Sequence, residues 1–179
     1  MNMPYFLASK IFSRLARKRS EYMSNYFRKK GCKVGGNCNI LSDISIGEPY
    51  LVHIGNDVTI SSEVLFLTHD ASVGKIFGKE KKSDVLGEII IGDNSFIGAR
   101  SVILPGVTLS KNTIVAAGSI VTKSFKDSNI VIGGNPAHII STWSNLSERT
   151  KDIGFAVHGK KGNKVRLLVE EHPEKMLRK

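Results

Sequence analysis

A hydrophobic residue recurs at every sixth position through the middle of this sequence, and this period constrains the fold more than any other feature. The pattern runs without a break from Ile91 to Val121, and an earlier stretch shifts its phase by two residues around Pro49. The residues on the pattern are Val34, Ile40, Ile46, Ile54, Ile60, Phe66, Ile91, Ile97, Ile103, Leu109, Val115 and Val121. Neither the 3.6-residue period of a helix nor the two-residue alternation of a strand matches it. A short strand and a turn, repeated three times per revolution, does match, so the sequence predicts a triangular coil of parallel strands.

The composition agrees with a narrow coil. Aromatic residues make up only 7% of the chain, whereas 17 residues are glycine. Ile, Leu and Val stack inside a narrow coil in which large rings do not fit, and glycine suits its many tight turns. A length of 179 residues is enough for one such domain with additional segments, and too short for a multi-domain machine.

The chain divides into three segments. Residues 1–31 are basic and carry apolar residues at helical spacing, which predicts one or two amphipathic helices that either cap the coil or lie on a membrane surface. Residues 32–140 form the coil, from which the basic segment 71–88 protrudes as a loop because it breaks the repeat. Residues 141–179 are predicted to form a helical extension.

The net charge limits the classes of binding partner, and the cysteine content indicates the cellular compartment. The formal net charge of +10 favours a polyanionic partner such as nucleic acid, an anionic membrane surface, a phosphorylated cofactor or an acidic glycan. The basic residues concentrate in the terminal segments and the loop, without interleaved stacking aromatics, which disfavours nucleic acid. The only cysteines are Cys32 and Cys38, and no signal peptide or apolar stretch of membrane-spanning length is found, so we expect a reduced, cytoplasmic protein with at most peripheral membrane contact.

Two segments carry a family resemblance. The sequence IGDNSFIGARSVILPGVTLSKNTIVAAGSIVTKSF at 91–125, followed by GGNPAHII at 133–140, resembles the hexapeptide-repeat acyltransferases, and the resemblance covers 34–140. It implies an all-β fold, a left-handed parallel β-helix, which we expect to carry flanking N- and C-terminal α-helices. It also implies acetyl-CoA as the acyl donor and a homotrimer with three sites between neighbouring subunits. The Asn135–Ala137 segment is a further family mark, although the family usually continues with Lys or Arg where this chain has His138.

His69 is the candidate catalytic base. It stands in the triplet Thr68-His69-Asp70, where the coil meets the loop, and the resemblance to the sugar and polysaccharide O-acetyltransferases implies that this histidine is the general base. An imidazole with an ordinary pKa of about 6.5 can take a proton from a sugar hydroxyl near neutral pH. Asp70 either orients the imidazole or caps the turn. Glu48, Tyr50 and the loop are candidates for the acceptor pocket.

Small side chains mark a path for the acyl donor. Ala99 and Ala117 are eighteen residues apart, which is three hexapeptides, so they stack on one face and leave room for a thin pantetheine arm. The resemblance implies that both line the coenzyme A arm and that Thr122 and Lys123 meet its outer end. An ammonium group at Lys123 attracts phosphate. No pair of histidines has the close spacing of the zinc γ-carbonic anhydrases that share this fold, so no metal is predicted.

Together these features predict an acetyl-CoA-dependent O-acetyltransferase. It would move an acetyl group directly to a sugar hydroxyl, without an acyl-enzyme, in the synthesis of a capsule, an exopolysaccharide or an O-antigen. Two alternatives stay open: an N-acyltransferase of an amino nucleotide-sugar, and an acetyltransferase of small sugars or xenobiotics. A free amine needs the same base as a hydroxyl, so His69 does not separate these alternatives.

Overall fold

Most of the described chain is a coil of short strands. The computed structural model describes residues 21–41, 46–77, 83–157 and 163–177. The predicted helical residues 1–20 lie outside these ranges. The strands are β1 Lys33–Val34, β2 Asn39–Ile40, β3 Val52–Ile54, β4 Thr59–Ile60, β5 Leu65–Phe66, β6 His69–Asp70, β7 Val85–Leu86, β8 Ile89–Ile91, β9 Phe96–Ile97, β10 Val102–Ile103, β11 Thr108–Leu109, β12 Thr113–Val115, β13 Ile120–Val121, β14 Ile130–Gly134 and β15 Ala137–Thr142.

Three sheets form the three faces of the coil. Sheet A contains β1, β3, β8 and β11, sheet B contains β2, β4, β9, β12, β14 and β15, and sheet C contains β5, β10 and β13. All pairs in these sheets are parallel except the final antiparallel pair of β14 and β15. The chain passes from sheet A to B to C in each revolution, so the predicted parallel β-helix is confirmed.

The repeat positions form the interior. Ten of the twelve predicted positions are buried, and Val34 and Ile46 are partly buried against the same core. Residues on the repeat stack directly from coil to coil, as Ile60 does on Ile97 and Ile97 on Val115. Each face therefore contributes one aliphatic ladder to the axis, which explains why a residue is repeated every six positions.

The number of residues between register partners in adjacent coils shows where the two interruptions of the repeat lie. Partner residues of β9 and β12 are 18 positions apart, which is one regular coil. Partners in β2 and β4 are 20 apart, because a short 3-10 helix at Pro49–Leu51 enlarges the turn between coils. Partners in β5 and β10 are 37 apart, because the protruding loop adds nineteen residues to one coil.

The loop contains regular structure in its described part. Helix α2 spans Val73–Phe77, and β7 returns antiparallel to β6 in a two-stranded sheet of its own. The chain rejoins the coil at Gly87, whose N–H donates to the carbonyl of Thr68 at 3.0 Å. The described parts of the predicted loop, residues 71–77 and 83–88, thus extend from the coil beside His69, and residues 78–82 lie outside the described ranges.

Helix α1 packs on the first coil. Its described residues 21–29 bury Met23 and Phe27, and the chain leaves the helix at Gly31, near which the sequence analysis places the end of the N-terminal segment. Gly31 has a φ of +106°, and hydrogen bonds from Gly31 N to Arg28 O and from Cys32 N to Phe27 O close the terminus. This is a Schellman motif, which requires a residue in the left-handed region and therefore favours glycine.

The end of the coil differs from the predicted boundary at residue 140. Strand β15 pairs with β14 as far as Thr142, because its backbone groups satisfy the outer strand of the last coil. Residues after Thr142 belong to a separate compact unit that contains α3 at Trp143–Thr150, α4 at Asn163–Glu171 and a 3-10 helix at Pro173–Lys175. None of the described helices has the length and apolar character needed to cross a membrane.

Candidate active site

His69 lies at the start of β6, on the edge of the coil that follows sheet C. Its Nδ1 atom is 2.8 Å from Oε2 of Glu48, and 42% of its side chain is exposed. A carboxylate can only accept a hydrogen bond, so Nδ1 carries the hydrogen and Nε2 keeps its lone pair. No described residue hydrogen bonds to Nε2. The geometry therefore leaves Nε2 available to accept a proton.

Thr68 holds the Glu48 carboxylate in place. The buried Thr68 hydroxyl donates to Oε2 of Glu48 at 2.6 Å and accepts from the Glu48 N–H at 3.1 Å. The two residues face each other because the 20-residue offset between β2 and β4 also joins position 48 to position 68. Glu48 is thus oriented by two contacts that do not involve the imidazole.

These contacts shift the pKa values of both His69 and Glu48 in directions that favour a basic imidazole. The hydrogen bond and negative charge of Glu48 raise the pKa of His69 above its ordinary value of 6.5. The hydrogen bond from Thr68, followed by that from His69, lowers the pKa of Glu48. An ionised Glu48 therefore supports a more basic imidazole whose ring and tautomer are both set.

Gly47 makes room for the imidazole. A Cβ atom on Gly47 would lie 2.8 Å from Cε1 and 2.9 Å from Nδ1 of His69, which is closer than carbon and nitrogen atoms approach without bonding. The ring therefore rests against the backbone of residue 47 rather than against a side chain.

Asp70 contacts the turn that opens the loop. Its Oδ1 accepts the N–H of Ser72 at 2.8 Å, and this contact lowers the pKa of Asp70. Of the two roles considered for Asp70, the described hydrogen bond is the capping one, and the carboxylate that contacts the imidazole is Glu48. Glu48 was predicted to contribute to the acceptor pocket, and its contact with the imidazole was not predicted. The phase slip of the repeat was the signal that could have located it.

The two alanines of the predicted donor path are neighbours in adjacent coils. Ala99 and Ala117 follow Ile97 and Val115, which pair in sheet B, and the N–H of Gly118 donates to the carbonyl of Ala99 at 2.8 Å. Ala117 is exposed and Ala99 is partly exposed. A smooth strip of small side chains therefore lies along the edge that follows sheet B.

Thr122 and Lys123 lie on a different edge from the alanines. They follow Val121, whose register partners lead through β10 to β5, so they share the edge of His69 two coils further along. Both are exposed, and Nζ of Lys123 is 5.8 Å from the centre of the Phe125 ring. Within one chain the alanine strip and the imidazole are thus separated by the width of sheet C.

Other reactive groups were considered as nucleophiles or ligands. Burial raises the pKa of the Cys32 thiol to about 11 and also raises that of Cys38, which makes both poor nucleophiles near neutral pH. The described ranges contain no group of three His, Cys, Asp or Glu residues placed to hold a metal ion. Asn135 and Pro136 form the turn between β14 and β15, and Nδ1 of His138 lies 3.4 Å from the Pro136 carbonyl oxygen.

Comparison with known proteins gives a consistent set of relatives. A family model described as the hexapeptide repeat of succinyl-transferase matches residues 88–123. Protein CapG of Staphylococcus aureus is 46% identical over 157 residues, which cover 86% of this chain and 88% of CapG. A hexapeptide-repeat-containing acetyltransferase of Vibrio cholerae has a TM-score of 0.57 at 26% identity, over 63% of this chain and 62% of its own. A galactoside acetyltransferase in complex with coenzyme A has a TM-score of 0.51 at 26% identity, over 65% and 67%.

The fold, the site and the relatives lead to one family. The match to CapG spans most of both chains, and the two solved structures are acetyltransferases that share the coil. The resemblance noted at residues 91–125 is thereby confirmed. The chain belongs to the hexapeptide-repeat family of acetyltransferases.

Proposed function

We propose that this protein transfers an acetyl group from acetyl-CoA to a hydroxyl group of a sugar, with His69 as the general base. The observation that carries the proposal is the hydrogen bond between Glu48 and Nδ1 of His69, which leaves Nε2 without a hydrogen-bond partner among the described residues. The galactoside acetyltransferase complex with coenzyme A supports the choice of donor.

The acetyl group moves directly from the sulfur of coenzyme A to the oxygen of the sugar. Nε2 of His69 accepts the proton of the sugar hydroxyl as its oxygen attacks the thioester carbonyl. The tetrahedral intermediate collapses, the carbon–sulfur bond breaks with its electron pair on sulfur, and the imidazolium returns the proton to the thiolate. Glu48 stabilises the imidazolium that exists between these two transfers, since its charge favours the protonated ring.

The complete site forms between two subunits of a homotrimer, in which each subunit is a left-handed β-helix. Ala99 and Ala117 lie on the edge after sheet B, whereas His69 lies on the edge after sheet C. A threefold arrangement brings the first edge of one subunit to the second edge of its neighbour. A pantetheine arm along the alanines of one subunit then delivers its thioester to the imidazole of the next, and the Lys123 ammonium is placed for a phosphate of the cofactor.

The acceptor belongs to a surface polysaccharide or its precursor. The Thr68-His69-Asp70 triplet supports this branch of the family over the small-sugar and xenobiotic branches. Because acetyl-CoA is a cytoplasmic metabolite, we place the reaction in the cytoplasm. Transfer to an amino nucleotide-sugar is the second candidate, because the same base serves an amine.

Replacing His69 by Ala tests the proposal. We expect kcat for acetyl transfer to fall by about 10²- to 10⁴-fold, because the variant lacks the proton acceptor. The dissociation constant for coenzyme A should stay within about twofold of the wild type, because no donor contact is removed. Thiol release from acetyl-CoA, measured across a panel of hydroxyl and amino saccharides with mass detection of the product, checks both points.

His53 provides a matched control. It lies in β3 on the outer surface of the coil, so His53→Ala should leave kcat unchanged. Turnover of His69→Ala near that of His53→Ala would rule out the imidazole as base. Faster acetylation of amines than of hydroxyls across the panel would select the second candidate.

A further inference from the structure

A cavity between helix α1 and residues 46–49 shares Gly47 with the surroundings of the imidazole. Its volume is about 370 Å³, and its lining residues are Tyr26, Phe27, Lys30, Ile46, Gly47 and Pro49. Gly47 lines the cavity and also lies next to His69, since a Cβ atom on Gly47 would come within 2.9 Å of Nδ1 of the ring. A molecule in the cavity is therefore one residue away from the base.

The wall formed by α1 is held rigidly. Phe27 is only 2% exposed, and Nε of Arg28 donates to the carbonyl of Val34 in the first coil at 2.9 Å. The Schellman motif at Gly31 fixes the turn that follows. The side chains of Tyr26 and Lys30 thus project from a backbone that is anchored to the coil.

Two groups in this wall match a sugar that carries a negative charge. Tyr26 is 41% exposed, so its side chain offers aromatic surface on which the apolar face of a pyranose can pack. Nζ of Lys30 lies 5.6 Å from the centre of that ring, and no carboxylate among the described residues forms an ion pair with it. A compact ammonium group beside a ring is placed to meet a carboxylate or phosphate on the bound sugar.

We propose that this cavity is the acceptor subsite and that Lys30 selects acceptors carrying an anionic group next to the acetylated sugar. The inference rests on the proposed function, since it takes His69 as the base and adds the chemical class of the acceptor. Tyr26 supports the pyranose ring, and Lys30 neutralises a uronate carboxylate or a sugar phosphate. Part of the positive charge of the chain is then explained by its substrate.

The test compares Lys30→Gln with Lys29→Gln in the full-length protein. Lys29 precedes Lys30 on the same helix and does not line the cavity. The acceptors form matched sets of a neutral pyranoside, its uronate and its phosphate, which separates the two sources of charge. We expect the wild type and Lys29→Gln to favour an anionic member by at least about tenfold in kcat/KM, and Lys30→Gln to lose this preference through a higher KM.

Two further measurements separate a binding role from a structural one. The KM for acetyl-CoA should be the same in all three proteins, because Lys30 does not contact the donor path. Tyr26→Ala should raise KM for neutral and anionic sugars alike, whereas Tyr22→Ala, one turn earlier and outside the cavity, should not. Circular dichroism melting curves show whether α1 remains folded.

The outcomes are distinct from those that test the base. If Lys30→Gln and Lys29→Gln show the same preference for anionic over neutral acceptors, the proposed subsite is wrong. Lys30 would then have no role beyond its position at the end of the helix. Equal binding of neutral and anionic saccharides to the His69→Ala variant with coenzyme A, measured by calorimetry, would overturn it even if no panel member is acetylated. Transfer that is independent of His69 would overturn the proposed function itself.

Discussion

At the scale of residues, the contact between Glu48 and His69 sets the tautomer of the candidate base and raises its pKa. A lone histidine at the edge of a loop has no fixed tautomer and no support for the proton that it accepts. Here the carboxylate supplies both, and Thr68 fixes the carboxylate. The residue that decides the chemistry of His69 is therefore 21 positions away in sequence and one coil away in space.

Glu48→Gln should change the pH dependence of the reaction. The base works only when neutral, so kcat/KM rises with pH through the pKa of His69, which Glu48 holds above 6.5. Removing the negative charge lowers this pKa, so the acidic limb of the profile should move to lower pH. The plateau should fall by about 3- to 10-fold because the base is weaker.

Glu170→Gln is the matched control for this variant. Glu170 pairs with Arg166 at 2.6 Å within helix α4, so its replacement should leave the acidic limb where it is in the wild type. A limb at the same pH in Glu48→Gln and the wild type would contradict an electrostatic role for Glu48.

At the scale of elements, the short antiparallel pair of β6 and β7 places the loop against the base. His69 pairs with Leu86, and Asp70 pairs with Val85. Residues directly opposite each other in an antiparallel pair project from the same face, so Leu86 stands beside the imidazole and Val85 faces the other way. Leu86 and Val85 are 56% and 51% exposed, so they differ in direction more than in burial.

Leu86→Ala should increase wasteful hydrolysis of acetyl-CoA. A base that deprotonates a sugar also deprotonates water, and an apolar side chain beside the base excludes water from the thioester. We expect the ratio of acetyl-CoA hydrolysis to acetyl transfer to rise by roughly 3- to 10-fold, measured as thiol release against acetylated product. Val85→Ala, on the opposite face of the same strand, should keep the wild-type ratio. An equal change in both variants would point to loosening of the loop instead.

At the scale of the whole molecule, the coil separates the two halves of the reaction. Three flat sheets form a rigid prism, and its edges carry the functional groups: the alanine strip after sheet B, and the imidazole with Lys123 after sheet C. Sheet C keeps these two edges apart within one chain. In the proposed homotrimer, the neighbouring subunit would supply the edge that one chain cannot bring to its own imidazole.

Mixed trimers should reveal a site shared between subunits. Ala117→Trp blocks the donor strip and His69→Ala removes the base, so each homotrimer should be inactive. When the two chains are mixed in equal amounts and reassembled, about a quarter of the sites should combine an intact histidine with an intact neighbouring strip. Thiol release near a quarter of the wild-type rate is the expected result. No recovery, with wild-type chains mixed in the same way as a control for reassembly, would place both halves in one subunit.

Whether the sequence predicts a structural feature depends on how far apart in sequence the residues that form it lie. The period of six identified the interior residues, since each ladder position such as Ile97 or Val115 is decided by its own stretch of chain. The extent of β15 was missed, because its last residues are strand only through pairing with β14. The contact of Glu48 with His69 was not predicted for the same reason. It depends on the 20-residue offset between two adjacent coils, which the 3-10 helix at Pro49–Leu51 produces.

The sequence by itself determined the parallel coil and the place of the loop, because these follow from a local repeat and from the point where it stops, and that point also led to the prediction of His69 as the base. Only the tertiary structure decided which carboxylate contacts the imidazole, which face of the loop lies beside it and which cavity lies near it. These features arise between residues on different coils. Their distances depend on how a phase slip of two residues and an inserted loop add up around the axis, and no local pattern in the chain records that sum.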